Sequence, residues 1–255
     1  MLKMKRIVSL LAVFLVVGVV STAQADLIAY TSFEEPSTGL QYTDTGDAGT
    51  DHALASNSGE MVVNYTSTGG ELGFSSYYTN TRGDVGLTDG DYVGVTTYTP
   101  TTSTSYTDGT QGFEMQDADG MMTLTLDTVD LTGYTDTSVS LDLFVAETGW
   151  ESTSSAFDII QAYLTMNDGT VIDLLNTTGS DIDDLGIEGY WMTLTEDLSG
   201  YTSATLSISL DSNAATEAIY VDNIAFEGSP VPVPAAIWLL GSGLLGLIGI
   251  RRRNA

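Results

Sequence analysis

Short runs in which apolar and small polar residues alternate most constrain the fold of this 255-residue chain. Residues 204–211 alternate Ala, Leu and Ile with Thr and Ser, and residues 138–145 show the same period. A period of two places successive side chains on opposite faces, so both segments are predicted to be half-buried antiparallel strands. Further strands are predicted at 27–33, 60–66, 91–97, 121–127, 157–166, 170–175, 190–195 and 218–227.

Turn residues separate these runs. Asn167-Asp168-Gly169 lies between two predicted strands, and Asp-Gly tolerates the positive φ angles of tight hairpin turns. No helical pattern occurs between Asp26 and Ser229. Many short strands joined by Gly- and Asp-containing turns predict an all-β fold, a sandwich or a barrel.

One strand-turn-strand pattern occurs twice. Met-Thr-Leu-Thr begins at Met122 and again at Met192, and each copy is followed by Asp-Leu-(Thr or Ser)-Gly-Tyr-Thr at 130–135 and 197–202. The spacing differs between the copies, which favours a recurring packing solution over a tandem repeat. Gly133 and Gly200 are predicted to take turn conformations, and Tyr134 and Tyr201 to pack at a sheet corner.

The first 25 residues have the composition of a secretory signal peptide. Basic residues at positions 3, 5 and 6 precede an apolar run, 7–20, and then Ala23-Gln24-Ala25, a small-x-small cleavage site. The run is short for a membrane span, although a retained anchor is the alternative. We expect export with cleavage after Ala25, which makes residues 26–229 the folded body.

Residues 230–255 form a distinct tail. Val231-Pro232-Val233-Pro234-Ala235 leads into an uncharged apolar run to Ile250 and then Arg251-Arg252-Arg253. As a helix the run would rise about 24 Å, and the arginines would mark a membrane stop on the cytoplasmic side. The predicted arrangement is one C-terminal transmembrane helix in the inner membrane with the body outside.

This tail resembles the PEP-CTERM class of bacterial sorting signals, in its V-P-L-P-A variant, with Val233 in place of the usual Leu. The resemblance implies recognition and processing by an exosortase-type membrane peptidase in bacteria that make exopolysaccharide. The protein would be tethered transiently and then reach the cell surface or the extracellular matrix. An ordinary tail anchor is the alternative, and it predicts the same topology without processing.

The body is strongly acidic. It holds all 34 acidic residues and one basic residue, Arg82, so its formal charge is −33. A surface of this sign repels phosphate backbones, which excludes nucleic acid as a partner, and it favours cations. The chain has no cysteine, so no disulfide supports the exported fold.

The first and last predicted strands contain Ser32-Phe33-Glu34 and residues 219–226. The body resembles the jelly-roll sandwiches that occur as carbohydrate-binding modules and non-catalytic accessory domains of secreted bacterial proteins. In those modules the corresponding carboxylates hold a structural calcium, which implies Glu34 and Asp222 here, with Glu35 as a fallback. The period of two would place Asp222 on one face with Tyr220, Ile224 and Phe226, as a carboxylate in an apolar row that needs a partner.

Other chemistry has few candidates. The acidic clusters 117–119 and 181–184 do not fit an EF-hand loop. Catalysis would have to use His52, the only histidine, without a nucleophile-elbow motif, or a pair of the abundant carboxylates. Arg82-Gly83-Asp84 is interpreted as a chance tripeptide whose Arg82 pairs with a neighbouring acid.

Three functions therefore remain open. The leading prediction is a non-catalytic exported protein associated with an exopolysaccharide or biofilm matrix. The second is a carbohydrate-binding lectin that uses Trp150, or Tyr77 and Tyr78, as a platform for a polysaccharide. The third is a small extracellular hydrolase that uses carboxylates.

Overall fold

The structure, a computed structural model, describes residues 25–34, 36, 39–44, 49–101, 104–146, 149–150 and 158–231. These residues form thirteen β-strands and one 3-10 turn at Gly86–Thr88, and no α-helix occurs among them. The strands are β1 (Asp26–Thr31), β2 (His52–Ala53), β3 (Phe74–Thr79), β4 (Tyr92–Thr96), β5 (Gly112–Gln116), β6 (Gly120–Leu126), β7 (Val129–Asp130), β8 (Tyr134–Val145), β9 (Ile159–Met166), β10 (Val171–Asn176), β11 (Trp191–Asp197), β12 (Ser203–Ser212) and β13 (Ala218–Pro230).

The strands form two antiparallel sheets. Sheet I has the order β11-β8-β13-β5-β4, and β1 also pairs with β13. Sheet II has the order β10-β9-β12-β6-β3-β2, and β7 also pairs with β12. Inward side chains of both sheets, such as Leu141 of β8 and Leu206 of β12, belong to one hydrophobic core. The predicted all-β sandwich is confirmed, with the two most regular predicted strands in opposite sheets.

The predicted strand at 60–66 is wrong. This segment makes single bridges, from Val62 to Val95 of sheet I and from Tyr65 to Phe74 of sheet II. Segment 60–66 therefore links the two sheets, and it does not pair along its whole length with a strand of either sheet. Conversely, the sequence analysis missed β3, because Ser76, a serine, occupies one of its buried positions and hides the apolar period.

The repeated motif forms two corners between the sheets. The first copy, 130–135, leads from sheet II to β8 of sheet I, and the second copy, 197–202, leads from β11 of sheet I to β12 of sheet II. The backbone N–H of Leu131 donates to the carbonyl of Thr202, which joins the two copies at 2.9 Å. The corners thus cross the sandwich in opposite directions and pack side by side.

The two corner turns share the same local chemistry. The side chains of Asp130 and Asp197 each accept a hydrogen bond of 2.8 Å from the backbone N–H two residues later. Gly133 and Gly200 have φ angles of 87° and 98°, which confirms their predicted turn conformations. Tyr201 packs against the core, as predicted for the corner.

Both ends of the described body lie at this corner end. Asp26 pairs with Gly228, and the N–H of Val231 donates to the carbonyl of Gly133 at 2.8 Å. Within the part of the chain that the structure describes, no helix is long and apolar enough to cross a membrane. The predicted signal peptide, except Ala25, and the predicted tail beyond Val231, including Arg251, Arg252 and Arg253, lie outside the described residues.

A β-bulge divides the last strand into two faces. The pairing of β13 with β8 shifts register between Asp222 and Ala225, and Asn223 has a positive φ of 49°. Ile224 therefore faces the core, whereas Tyr220 belongs to a separate aromatic cluster outside it. The prediction that Asp222 shares one face with Ile224 is wrong, because the extra residue reverses the alternation.

Candidate functional site

A row of aromatic side chains crosses the outer face of sheet I. Trp191 of β11 pairs with Phe144 of β8, Phe144 pairs with Tyr220 of β13, and Tyr220 pairs with Glu114 of β5. The ring centroids of Phe144 lie 5.7 Å from Trp191 and 6.2 Å from Tyr220, in edge-to-face arrangements. Neighbouring strands are about 4.8 Å apart, so the row extends across about 14 Å of the sheet.

The connection between β4 and β5 lies over this row. The ring of Tyr106 is 6.0 Å from that of Trp191, and the Tyr106 hydroxyl donates to the carbonyl of Tyr98 at 2.5 Å. Trp191 Nε1 donates to the carbonyl of Ser105 at 3.0 Å. A Cβ at Gly112 would lie 2.2 Å from the Tyr106 ring, so glycine is required for the ring to lie against β5.

Asp222 of β13 hydrogen-bonds to the same connection between β4 and β5. Its Oδ2 accepts hydrogen bonds from Thr107 N–H at 2.7 Å, Thr107 Oγ1 at 3.0 Å and Asp108 N–H at 2.9 Å. Its Oδ1 accepts one from Asn223 N–H at 2.7 Å. Burial raises the pKa of Asp222 to about 6, and these hydrogen bonds oppose the rise.

Glu34 holds the other end of the connection. Its Oε1 accepts hydrogen bonds from Thr110 N–H at 2.6 Å and Gln111 N–H at 2.7 Å, and its Oε2 accepts one from the Thr110 hydroxyl at 3.2 Å. A Cβ at Gly109 would lie 2.4 Å from Glu34 Oε1, so a larger residue would push this carboxylate away. The two carboxylates that the resemblance implied therefore bind one short segment, residues 107–111.

These contacts bear on the calcium prediction. Calcium would compete for the oxygens of Glu34 and Asp222, which already accept N–H and O–H groups. Among the described residues, no group of three or more histidine or carboxylate side chains is arranged to hold a metal. The arrangement fits hydrogen bonding to the loop better than a cation, and calcium at Glu34 and Asp222 stays a prediction.

Glu114 differs from both of these carboxylates. Its side chain is 2% exposed, and its Oε2 has no hydrogen-bond partner in the described structure. Burial raises its pKa to about 8, and the adjacent Tyr220 hydroxyl opposes that rise. A buried carboxyl of this kind holds its proton up to mildly alkaline pH.

A cleft of about 280 Å³ opens at one end of the aromatic row. Phe144 and Tyr220 line it together with uncharged hydrogen-bonding side chains. The described lining residues are Pro100, Thr101, Gln116, Phe144, Ala146, Gly189, Thr216, Ala218 and Tyr220. None of them is charged, although the body as a whole carries a formal charge of −33.

The exposed tyrosine Tyr98 lies beside this cleft. Tyr92 pairs with the cleft residue Gln116, and its ring is 5.6 Å from that of Tyr98 in an edge-to-face contact. Tyr98 is 46% exposed, so part of this side chain is accessible to a ligand. The sequence analysis missed these residues because only the strand register places Tyr92, Gln116 and Tyr220 on one face.

Trp150 does not provide the predicted sugar platform. It is 5% exposed, belongs to the hydrophobic core, and donates from Nε1 to the carbonyl of Ala146 at 2.8 Å. A ring packed in this way has no open face for stacking, so the predicted contact is corrected to a core position. Of the other predicted pair, Tyr78 is also buried, whereas Tyr77 is 44% exposed on sheet II.

The remaining candidates have structural contacts. His52 lies in the short edge strand β2, with Nε2 2.8 Å from Asp44 Oδ2. Arg82 pairs with Asp158 at 2.8 Å and Asp211 at 2.7 Å, so it does pair with acids, but these acids are not its neighbours in the sequence. Both partners are distant in sequence, so their identity could not be predicted.

The acidic segment 117–119 lies near a buried carboxyl. Burial, together with the charges of Asp89, Asp117 and Asp119, raises the pKa of Asp91 to about 9. The hydroxyl of Tyr78 donates to the carbonyl of Asp119 at 2.9 Å, which fixes the backbone of the segment. The segment is therefore a packed turn with several acids close together. The raised pKa of Asp91 favours its protonated form, which reduces the repulsion between these acids.

Comparisons with known proteins give only distant structural likenesses. No protein-family model and no curated protein matches the chain. A β-sandwich carbohydrate-binding module matches at a TM-score of 0.32 with 18% identity, over 60% of this chain and 56% of that one. The C-terminal family 22 carbohydrate-binding module of Clostridium thermocellum Xyn10B matches at 0.34 with 11% identity, over 81% and 96%.

A protein of another kind gives a similar value. The Stig cyclase Fisc from Fischerella sp. TAU matches at a TM-score of 0.36 with 17% identity, over 82% of this chain and all of that one. Binding modules and a cyclase thus resemble the chain equally. Likeness at this level does not identify a ligand or an activity, and the function has to be argued from the site itself.

Proposed function

We propose that the body is a non-catalytic carbohydrate-binding domain and that the cleft beside Tyr98 and Tyr220 takes an uncharged sugar. A sugar ring has a C–H face that packs on aromatic rings and hydroxyl groups that need hydrogen-bond partners. Phe144 and Tyr220, which are 2% and 7% exposed, form the apolar floor of the cleft, and the exposed side chain of Tyr98 beside it is the one available for stacking. Thr101 and Gln116 add hydrogen-bonding groups, and ligand pockets commonly pair an apolar lining with a few polar groups.

The absence of charge among the described lining residues carries this proposal. In a body of charge −33, an uncharged cleft is a local exception, and it suits a neutral ligand. An anionic glycan such as a uronic acid polymer would meet the field of the surrounding carboxylates. We therefore expect selection for neutral over anionic sugars.

Carboxylate-based hydrolysis fits the site less well. A glycosidase needs two carboxyl groups that face the substrate. Glu114 is 2% exposed beneath the aromatic row, and Asp222 is fully buried by the loop that it holds. Neither presents its oxygens to the cleft, which supports a binding role rather than catalysis.

The position of the cleft suits a protein held at its C-terminus. Tyr220 lines the cleft, and Pro230 lies ten residues along the same strand at the corner end, about 33 Å away at 3.3 Å per residue. If the predicted tail is anchored or processed at the membrane, the cleft faces outward, toward an exopolysaccharide matrix. The intact mass of the native protein, compared with that expected for residues 26–255, tests the predicted processing near 231–235.

A glycan array followed by titration calorimetry tests the sugar proposal. We expect Tyr98→Ala and Gln116→Ala each to weaken binding of a neutral oligosaccharide about tenfold, which corresponds to about 1.4 kcal/mol. Thr202→Ala, at the opposite corner end, is the matched control and should bind like the wild type. Array binding only to anionic glycans, or unchanged affinity in both cleft variants, would refute the proposal.

A further inference from the structure

The outer face of sheet II is a broad surface of short polar side chains. The registers of β3, β6, β12 and β9 align Tyr77, Thr123, Ser209 and Gln161 in one row across the sheet. The next row contains Ser75, Thr125, Ser207 and Tyr163. Serine and threonine side chains are short, so the centre of this face has little relief.

Hydroxyl groups on this face pair across the strands. The pairs are Thr123 with Ser209 at 2.9 Å, Thr125 with Ser207 at 3.1 Å, and Thr128 with Thr205 at 2.7 Å. Ser207 and Ser209 are 5% and 1% exposed, so the threonine hydroxyls of these pairs are the accessible ones. A hydroxyl group has one donor and two acceptor sites, so each paired threonine keeps further capacity for a partner. The pairing also orients the groups before any ligand arrives, which reduces the entropy cost of binding.

Two tyrosines lie at opposite sides of the hydroxyl surface. Tyr77 of β3 is 44% exposed, and Tyr163 of β9 is partly exposed. They are three strands apart and one row apart, which corresponds to about 14 Å across the sheet and about 7 Å along it, or roughly 16 Å in all. Several linked sugar units would be needed to contact both rings.

The near absence of charge on this face indicates which kind of ligand it suits. Among the outward side chains of β3, β6, β12 and β9, all of which the structure describes, Asp211 is the only charged group, and it is paired with Arg82 at 2.7 Å. Asp173 lies opposite Tyr163 on β10, so a carboxylate borders the face. An extended uncharged polymer fits this pattern, whereas a polyanion would be repelled.

We propose that the outer face of sheet II is a second binding surface, which takes the flat side of an uncharged, extended polysaccharide. Tyr77 and Tyr163 stack on sugar rings, and the partly exposed hydroxyls of Thr123 and Thr125 between them contact the hydroxyl groups of the polymer. The surface lies on the opposite side of the sandwich from the cleft, and it would act whether or not the cleft binds sugar.

Pull-down on insoluble cellulose and on chitin, two uncharged polysaccharides, tests this surface. We expect the wild-type body to bind at least one of them and the Tyr77→Ala/Tyr163→Ala double variant to bind at least tenfold more weakly. Thr125→Asp places a charge at the centre of the face and should have a similar effect. Tyr30→Ala, an exposed tyrosine of β1 in sheet I, is the matched control.

The cleft variant Tyr98→Ala separates the two proposals. Loss of pull-down in the double variant and in Thr125→Asp, with retention in Tyr98→Ala, supports the surface on sheet II. Loss in Tyr98→Ala alone overturns the surface and leaves the cleft proposal standing. No binding of the wild type to either polymer also overturns the surface. Melting temperatures within about 3 °C of the wild type exclude misfolding as the cause of a loss.

Discussion

Asp222 and Glu114 lie on neighbouring strands and on the same face of sheet I, and both carboxyl groups are buried. They differ in their hydrogen-bond partners. Asp222 is surrounded by backbone N–H groups of the 107–111 segment, whereas Glu114 lies among aromatic rings with Oε2 unpartnered in the described structure. The pKa of Asp222 rises only to about 6, but that of Glu114 rises to about 8.

The comparison shows how a body with one arginine buries acids. Glu71 follows the pattern of Asp222, because it accepts hydrogen bonds from the backbone N–H groups of Ser32 and Glu34 and from two hydroxyls. Backbone amides therefore take the place of cations around these carboxylates. Where amides are missing, as at Glu114 and Asp91, burial favours the protonated acid.

Removal of Asp222 should have the largest effect on stability. Asp222→Ala removes the carboxylate that accepts the N–H groups of Thr107, Asp108 and Asn223, and hydrogen bonds to charged groups contribute about 1.5–3 kcal/mol each. These three residues are exposed, so water replaces part of the loss. We expect a loss of roughly 3–4 kcal/mol and a melting temperature lower by about 6–15 °C. Asp108→Ala, an exposed side chain in the same loop, should change the melting temperature by less than about 2 °C. An equal effect of both substitutions would contradict the anchoring role.

Glu114→Gln should have the next largest effect, and its sign should depend on pH. The folded-state pKa of about 8 lies above the ordinary value of 4.5, so the folded protein keeps a proton that the unfolded chain releases. This contribution to stability is complete below about pH 4.5 and is lost as pH rises through 8. Glutamine keeps the shape without the ionisation, so the variant should melt higher than the wild type at pH 9 and similarly at pH 5.

The wild type should show the same trend, because the raised pKa values of Asp91, Asp119 and Asp222 act in the same direction as that of Glu114. We expect its melting temperature to fall steadily from about pH 5 to pH 9. Scanning calorimetry across this range provides the measurement. A profile that rises with pH would show that these groups are ionised and solvated in the folded protein.

Chelation should have the smallest effect. Because amides and hydroxyls already occupy the Glu34 and Asp222 oxygens, addition of EDTA should lower the melting temperature by less than about 1 °C. A larger shift that disappears in Asp222→Asn would establish the calcium site that the family resemblance implies. Differential scanning fluorimetry with EDTA and with added calcium distinguishes these outcomes.

The sequence predicted the fold well where one face of a strand is consistently apolar. Residues 138–145 and 204–211 fulfil this condition, and both are strands. The prediction failed at 60–66, because an apolar segment can link two sheets without pairing along either of them. It also failed after Asp222, where the bulge at Asn223 changes the face of Ile224 and Phe226.

The candidate site was less predictable than the fold. Composition identified an acidic body short of cations, and the resemblance named Glu34 and Asp222 as calcium ligands, which stays a prediction. Their shared partner is a loop more than 70 residues after Glu34 and more than 100 before Asp222, and no local pattern encodes such a contact. Trp150 was selected by its residue type and its position just past a predicted strand, and packing decided that its ring is buried.

The sequence by itself determined the all-β class, the two matching corners and the acidic character of the body, because these properties depend on local alternation, turn chemistry and residue counts. The tertiary structure alone decided which residues share a face: the row of Trp191, Phe144, Tyr220 and Glu114 comes from four strands whose register is set by long-range pairing. It also decided which acids have a raised pKa, because the environment of a carboxyl group depends on the N–H groups and rings that folding brings to it.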